Sequence, residues 1–486
     1  MRNLYLLGTL ILLSFSAIAG NGLRANLSFC SFLSPQDGPF LETYLSVNAA
    51  TLSLQPVEGG FAGSVEVMMI IKKGEKIADF RKYELKSPVI EDTNQIAVNF
   101  IDQQRFVLDS GTYLYEISIR DLKANGPAIT HSQEIRISFP EGSVSLSGIQ
   151  LLDSYRKSTE QGILTKSGFD LIPYVFNFYP ESVDRIRFYL EIYGTEKAFG
   201  KGGGFLVNQF VQGYETGEPV KELQRRTRQK AAQVVPMLQE FDLSRLPSGN
   251  YNLVTEVRNA QNEIIANGEV FFQRMNPNVQ LSLDDIRVLD VRSSFVEGFN
   301  NTDSLSSYIR SLQPISSEME RVFAENHLAS ADLALMQQYF LNFWLSRDEL
   351  NPRAAWEEYY SRVKHVDLHF STLIKHGYET DRGIVYLKYG PPNTISESHH
   401  EPSAYPYEIW HYYELRQQRN KKFVFCSRDN VTNDFELIHS DAMGEISNYR
   451  WQIDVMRRTT DGFDLDQRST ESHWGGKIDT YYRDPR

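Results

Sequence analysis

The chain has 486 residues, with 50 Lys and Arg against 62 Asp and Glu, for a formal charge of −12. That length accommodates roughly three domains of about 150 residues each, and the acidic balance argues against nucleic acid or an anionic lipid surface as the partner. Two cysteines, Cys30 and Cys426, exclude a disulfide framework; an oxidising compartment permits one bridge between them without requiring it.

The chain opens with Arg2 and an almost wholly apolar run from Leu4 to Ile18, followed by the small-x-small pattern Ala17-Ile18-Ala19. Residues 1–19 therefore read as a signal peptide with the mature start at Gly20. The run is short for a membrane span, and no later stretch matches its apolar character. The expectation is an exported protein, periplasmic, outer-membrane associated or on the cell surface, with no transmembrane segment after cleavage. Cys30 lies too far past the cleavage site for lipidation.

Two segments then repeat one pattern. Leu108-Asp109-Ser110-Gly111-Thr112-Tyr113 leads into a strand over Leu114 to Ile119, and Leu246-Pro247-Ser248-Gly249-Asn250-Tyr251 leads into a strand over Asn252 to Val257. The shared L-x-S-G-x-Y resembles the tyrosine corner of immunoglobulin-like sandwiches. The repeats lie one domain length apart, which predicts two successive β-sandwiches at 27–140 and 143–275. In the first, Val65, Val67, Met69 and Ile71 alternate before a Lys73-Gly74-Glu75 turn, as a half-buried hairpin strand should. The second has aromatic-rich strands over Phe169 to Tyr179 and Arg185 to Tyr193. It carries an expected insertion at 194–236, with a glycine-rich loop at Gly200 to Gly204 and a short basic helix over Lys221 to Gln233. That loop lacks the spacing of a phosphate-binding loop.

After Met275-Asn276-Pro277 the periodicity turns helical, and residues 284–458 form the third expected unit, an α+β domain. Leu333, Met336, Phe340, Phe343 and Trp344 mark a helix entered through Ser330. Asn351-Pro352 starts a second, whose stripe is Trp356, Tyr359, Val363, Val366, Phe370 and Leu373. Strands over Ile384 to Tyr389, Tyr407 to Tyr413, Phe423 to Cys426 and Phe435 to Ser440 predict a small antiparallel sheet that buries this helical hairpin. The polar tail, 459–486, is expected to be extended or partly disordered.

Within this third unit, Gly377-Tyr378-Glu379-Thr380-Asp381 resembles the Gly-Trp-x-Thr-Asp signature of the GWxTD domain, with Tyr in place of Trp. Arg382, the Gly390-Pro391-Pro392 stop, the strand holding Tyr407, Glu408, Trp410 and Tyr412, and the lead-in Phe340-x-x-x-Trp344-x-x-Arg347-Asp348 follow the same family pattern. The resemblance implies a protein exported by bacteria, many of them Bacteroidetes, with β-sandwich modules ahead of the domain. It implies no reaction.

The residues themselves nominate little chemistry. Asp381 with Glu408 is one carboxylate pairing, but a turn-forming Asp and a strand-edge Glu explain both. His399-His400-Glu401 with His411 or His439 lacks the spacing of a helical metal site. Cys426 with His439 and Asp441 is the one nucleophile constellation, and a thiol in an apolar strand is usually structural. No catalytic, cofactor or metal site is therefore assigned. Gly377, Tyr378, Thr380, Asp381, Arg382, Gly390, Pro391, Pro392, Tyr407, Glu408, Trp410 and Tyr412 stand as family-motif and candidate partner-binding residues, because the aromatic strand has a second face to offer. The expected function is a non-enzymatic interaction or scaffolding component of the bacterial envelope that docks a protein partner. The alternatives are a hydrolase or glycan-binding module acting on envelope polymers, and a surface adhesin.

Overall fold

A computed structural model describes residues 23–456 and 477–483, apart from 92–98, 125, 127, 161, 280–290, 293, 329–330, 349, 402–403, 417, 430–431 and 449. The expected signal peptide at 1–19 lies outside the described residues, as does most of the expected tail. Among the described residues no helix is long and apolar enough to cross a membrane.

The first part of the chain is all β: β1 (Ala25–Ser34), β2 (Gly38–Asn48), β3 (Gln55–Val57), β4 (Gly60–Ala62), β5 (Ser64–Lys73), β6 (Lys76–Lys86), β7 (Asn99–Val107), β8 (Gly111–Asp121) and β9 (Ile129–Ile137). A β1-β2-β7 sheet and a β6-β5-β8-β9 sheet share one core. Val65, Val67, Met69 and Ile71 alternate into it as the period-two pattern requires. The second part adds β10 (Ser145–Leu146), β11 (Gln150–Lys157), β12 (Thr165–Lys166), β13 (Phe169–Pro173), β14 (Phe178–Tyr179), β15 (Arg185–Tyr193), helix α1 (Thr195–Phe199), β16 (Gly204–Gly213), β17 (Pro219–Lys230), β18 (Val234–Asp242), β19 (Gly249–Arg258) and β20 (Ile264–Arg274). The sheet order β14-β20-β19-β16-β17 faces a second sheet built on β15.

Both tyrosine corners are made. Tyr113 Oη donates to the Asp109 carbonyl (2.9 Å) and Tyr251 Oη to the Pro247 carbonyl (3.1 Å). Two expectations are corrected. The span 194–236 is no insertion, because β16 and β17 complete one sheet and β18 pairs with β15 along its whole length. Within it, the expected helix over Lys221 to Gln233 is mostly strand β17. Pairing with β16 outweighs the helix propensity of its Lys, Gln and Arg residues.

The first and second parts meet in a mixed interface. Cys30, Phe32 and Tyr44 pack with Leu152, Leu171 and Tyr189. Beside them the fully buried Glu42 takes Arg105 (2.6 Å), the Tyr44 hydroxyl (2.6 Å) and the Lys166 ammonium, which also donates to Gln150 Oε1 (2.8 Å).

The third part is helical before it is β. It comprises α2 (Thr302–Ser311), α3 (Glu318–His327), α4 (Leu333–Leu345), α5 (Pro352–Phe370) and α6 (Asp381–Tyr389), then β21 (Thr394–Ser398), β22 (Tyr407–Leu415), β23 (Gln418–Cys426) and β24 (Glu436–Ser440), and the short helices α7 (Trp451–Val455) and α8 (Ile478–Arg483). Asp332, not Ser330, caps α4, accepting the Leu335 N–H (2.8 Å); Ser330 lies outside the described residues. Pro352 opens α5, though the Asn351 side chain makes no capping bond. Phe340, Trp344, Trp356 and Tyr359 interlock between α4 and α5. The helix ends at Phe370, so Leu373 falls beyond the stripe and is exposed.

Two further expectations change here. Residues 384–389 are helix α6, not strand. Part of the tail is helical rather than extended: the Tyr482 ring of α8 packs against Trp451 at a tilt, with centroids 4.8 Å apart, and Ile478 is buried. The bridge that the cysteine count permits without requiring is not formed, since Cys30 and Cys426 are free thiols in different cores. The third part docks on the second where Arg416 donates to the Tyr214 carbonyl and covers its ring at 4.2 Å.

Candidate functional site

The Gly377–Pro392 element links α5 to the sheet, and each of its pieces has a local cause. Gly377 crosses α5 so closely that a Cβ there would overlap the Val366 carbonyl oxygen, and a Cβ on Gly383 would overlap the Gly377 carbonyl. Only glycine permits both approaches. The Gly377 N–H donates to Asp367 Oδ1 of α5 (2.7 Å). Tyr378 is buried, its ring stacked on His376 and its hydroxyl 3.3 Å from Ser307 Oγ of α2. Thr380 caps α6. Its Oγ1 accepts the Gly383 N–H (3.2 Å) and donates to the Gly377 carbonyl (2.8 Å).

The next two residues reach the sheet. Asp381 Oδ2 accepts the Leu437 N–H of β24 (2.7 Å), so Asp381 ties the helix to the sheet and forms no turn. Burial raises its carboxyl above the ordinary carboxylate value, opposed by that backbone bond. Arg382 Nη1 pairs with Glu408 Oε1 of β22 (2.7 Å), both side chains buried, and Nη2 donates to the Asn433 carbonyl (3.0 Å). The guanidinium lies 4.2 Å from the Phe435 ring centroid and 5.3 Å from that of Phe370. Trp410 Nε1 donates to the second carboxylate oxygen, Glu408 Oε2 (2.9 Å). At the far end of α6, Lys388 and Tyr389 both reach Glu445 Oε1 at 2.6 Å, and Tyr412 Oη donates to the Gly390 carbonyl (2.9 Å).

The structure thus gathers Asp381, Arg382, Glu408 and Trp410 around one joint. Gly390 and Tyr412 meet at a second point, Tyr378 lies apart against α2, and Pro391 is exposed. Asp381 and Glu408 are not a carboxylate pair, since each is spent on a different partner. Tyr407, Trp410 and Tyr412 are buried, because the sheet is covered on both faces. Tyr407 and Ile409 pack toward Trp451 and Val455, while Trp410 and Tyr412 pack toward Val385 of α6. The expected second aromatic face is therefore core, unavailable to a partner.

The remaining candidates are also dispersed. Among the described residues no group of three or more His, Cys, Asp or Glu side chains converges on a metal-sized point. His399 contacts Glu397, whereas His411 faces Asn420. Burial pushes the Cys426 thiol up to about 12 and the His439 imidazole down to about 4, the reverse of an activated pair. His439 is instead stacked on Trp451, with Nδ1 accepting the Asn448 N–H (3.1 Å).

Sequence reasoning missed the partners Asp367, Asn433 and Glu445, which no local pattern marks; Phe370 and Phe435 it placed in a helix stripe and a strand without their contact to Arg382. It also missed three near-fully exposed aliphatics: Leu368 (80%) in the last turn of α5, with Leu373 (84%) and Ile374 (77%) in the loop before the motif. Their exposure follows from the helix ending at Phe370, which the 3-4 spacing running on to Leu373 does not mark.

A family model described as the GWxTD domain matches residues 287–456. Among curated proteins none matches the chain. Solved structures with some likeness include a glycosyl hydrolase family 2 member from Bacteroides cellulosilyticus, at 7% identity and a TM-score of 0.19. That match covers 48% of this chain and 28% of the hydrolase, so this chain spans little more than a quarter of its length. Fibronectin(III)-like modules of Clostridium thermocellum CbhA match at 9% identity and a TM-score of 0.15, over 50% of this chain and 89% of theirs. A Salmonella alpha-2-macroglobulin mutant matches at 11% identity and a TM-score of 0.15, over 52% of this chain and 16% of its own. At such TM-scores these likenesses carry no argument about activity.

Proposed function

We propose that this chain, which carries a GWxTD domain over residues 287–456, is a non-enzymatic interaction or scaffolding component of the bacterial cell envelope. In this reading residues 1–19 direct export, two immunoglobulin-like sandwiches act as spacers, and the GWxTD domain docks a protein partner. The observation that carries it is the exposed aliphatic tip of Leu368, Leu373 and Ile374. Large aliphatics at this exposure, grouped on one short stretch, are what the desolvated centre of a protein interface is made of. The motif supports the reading from beneath. Its polar groups are consumed by internal bonds, and those bonds fix the loop that presents the tip.

The test is cross-linking in the native envelope with identification of neighbours, comparing the wild type with Leu373→Ser/Ile374→Ser. The expected result is one reproducible neighbour that the variant loses while keeping its fold by circular dichroism. A neighbour retained by the variant, or none found for the wild type, would reject the proposal.

A further inference from the structure

The basic stretch of the second sandwich is not absorbed by the function proposed above. β17 closes one end of its five-stranded sheet and pairs with β16 alone, so alternate N–H and C=O groups along its other side are free of ladder partners. On it Lys221, Arg225, Arg226, Arg228 and Lys230 are all exposed. Among the described residues none of the five stands in an ion pair; Arg225 donates only to the Gln239 amide oxygen. The strand's one acidic residue is Glu222, in a chain whose overall charge is −12.

Register places these charges in an order. Arg226, Arg228 and Lys230 stand opposite Asn208, Leu206 and Gly204 of β16 and share one face. Lys221 and Arg225 belong to the opposite set with Leu223, which is buried in the core. Beyond Lys230, Gly202 N donates to the Ala231 carbonyl (3.1 Å), which sets the exposed Lys201 near the end of the row. A single lysine is enough to discourage edge-to-edge pairing of sheets. A run of one sign does more, because it selects the sign of any strand that approaches.

We propose that β17 is a docking edge for an extended acidic polypeptide of a partner protein, which adds to the sheet as a further strand. Backbone bonds supply affinity along the edge. Specificity comes from carboxylates at every second residue, each set beside Arg226, Arg228 or Lys230 at cross-strand distance. The recognised pattern is acidic-x-acidic-x-acidic, and binding weakens as salt rises.

The experiment uses the full chain and a labelled peptide of about ten residues alternating Glu and Thr, read by fluorescence anisotropy. The expected result is saturable binding that falls at least about tenfold in Arg226→Gln/Arg228→Gln/Lys230→Gln, with an unchanged circular dichroism spectrum. A peptide of the same charge with prolines at the threonine positions, which cannot pair through its backbone, is expected to bind about tenfold more weakly. Equal binding of the proline peptide, or its displacement by phosphatidylglycerol vesicles, would reduce the strand to a general polyanion surface and overturn the proposal. Unchanged affinity in the triple variant would overturn it as well.

Discussion

Replacing Arg382 by Met tests whether the buried ion pair closes the joint between α6 and the sheet. The substitution keeps most of the apolar stem and removes the guanidinium, leaving Glu408 Oε1 buried without its 2.7 Å partner and the Asn433 carbonyl without its donor. Breaking one side of a buried pair costs about 3–5 kcal/mol, mostly as the penalty of the stranded charge. Adding Glu408→Gln removes that charge yet leaves an amide oxygen to accept the Trp410 N–H, so the double variant should recover to within about 1–2 kcal/mol of the wild type. The coupling between the two changes is then about 2 kcal/mol or more. Urea titration followed by tryptophan fluorescence reads this unit alone, since all five tryptophans (Trp344, Trp356, Trp410, Trp451 and Trp474) lie in the last third of the chain. A loss below about 1 kcal/mol in Arg382→Met, or a double variant as unstable as the sum of its parts, would refute the reasoning.

Three other outcomes follow from the same geometry. Asp381→Asn keeps an acceptor for the Leu437 N–H and should leave stability nearly unchanged, whereas Asp381→Ala strands that donor and should cost about 1–3 kcal/mol in the same titration. His439 is held neutral, with its value lowered to about 4. The stability it contributes is therefore full above the ordinary histidine value near 6.5 and lost as pH falls toward 4, amounting to about 3 kcal/mol. His439→Gln should flatten the pH dependence across that window, and an unchanged slope would contradict the assignment. Cys30 and Cys426, both raised to about 12 by burial, should resist iodoacetamide at pH 8 in the folded protein and react promptly in urea. Rapid labelling of the native chain would show that one of the two cores opens.

Several features were legible because their causes are local. The alternation of Val65 to Ile71 places a strand, and the L-x-S-G-x-Y pattern places a tyrosine four residues from the carbonyl it bonds. The helical stripe of Trp356 to Val366 is equally self-contained. Helix α6 stands where the pattern predicts a strand, for a physical reason. It lies between α5 and the sheet, with Leu387 turned to one core and Val385 to the other, so its apolar residues surround it and mimic a strand's alternation. Its boundaries were nonetheless written in the chain: a Thr cap with Asp behind it at one end, Gly390 followed by prolines at the other.

The sequence alone determined the kind of element at most positions and the glycines, caps and corners that shape them, since those depend on neighbours a few residues away. Tertiary structure decided which surfaces remain free. Whether Trp410 faces a partner or α6, whether Glu408 meets Asp381 or Arg382, and whether the Lys221–Lys230 stretch is a helix or an exposed sheet edge all depend on segments distant in the chain. Burial and strand pairing are properties of that assembly, and no local pattern encodes them.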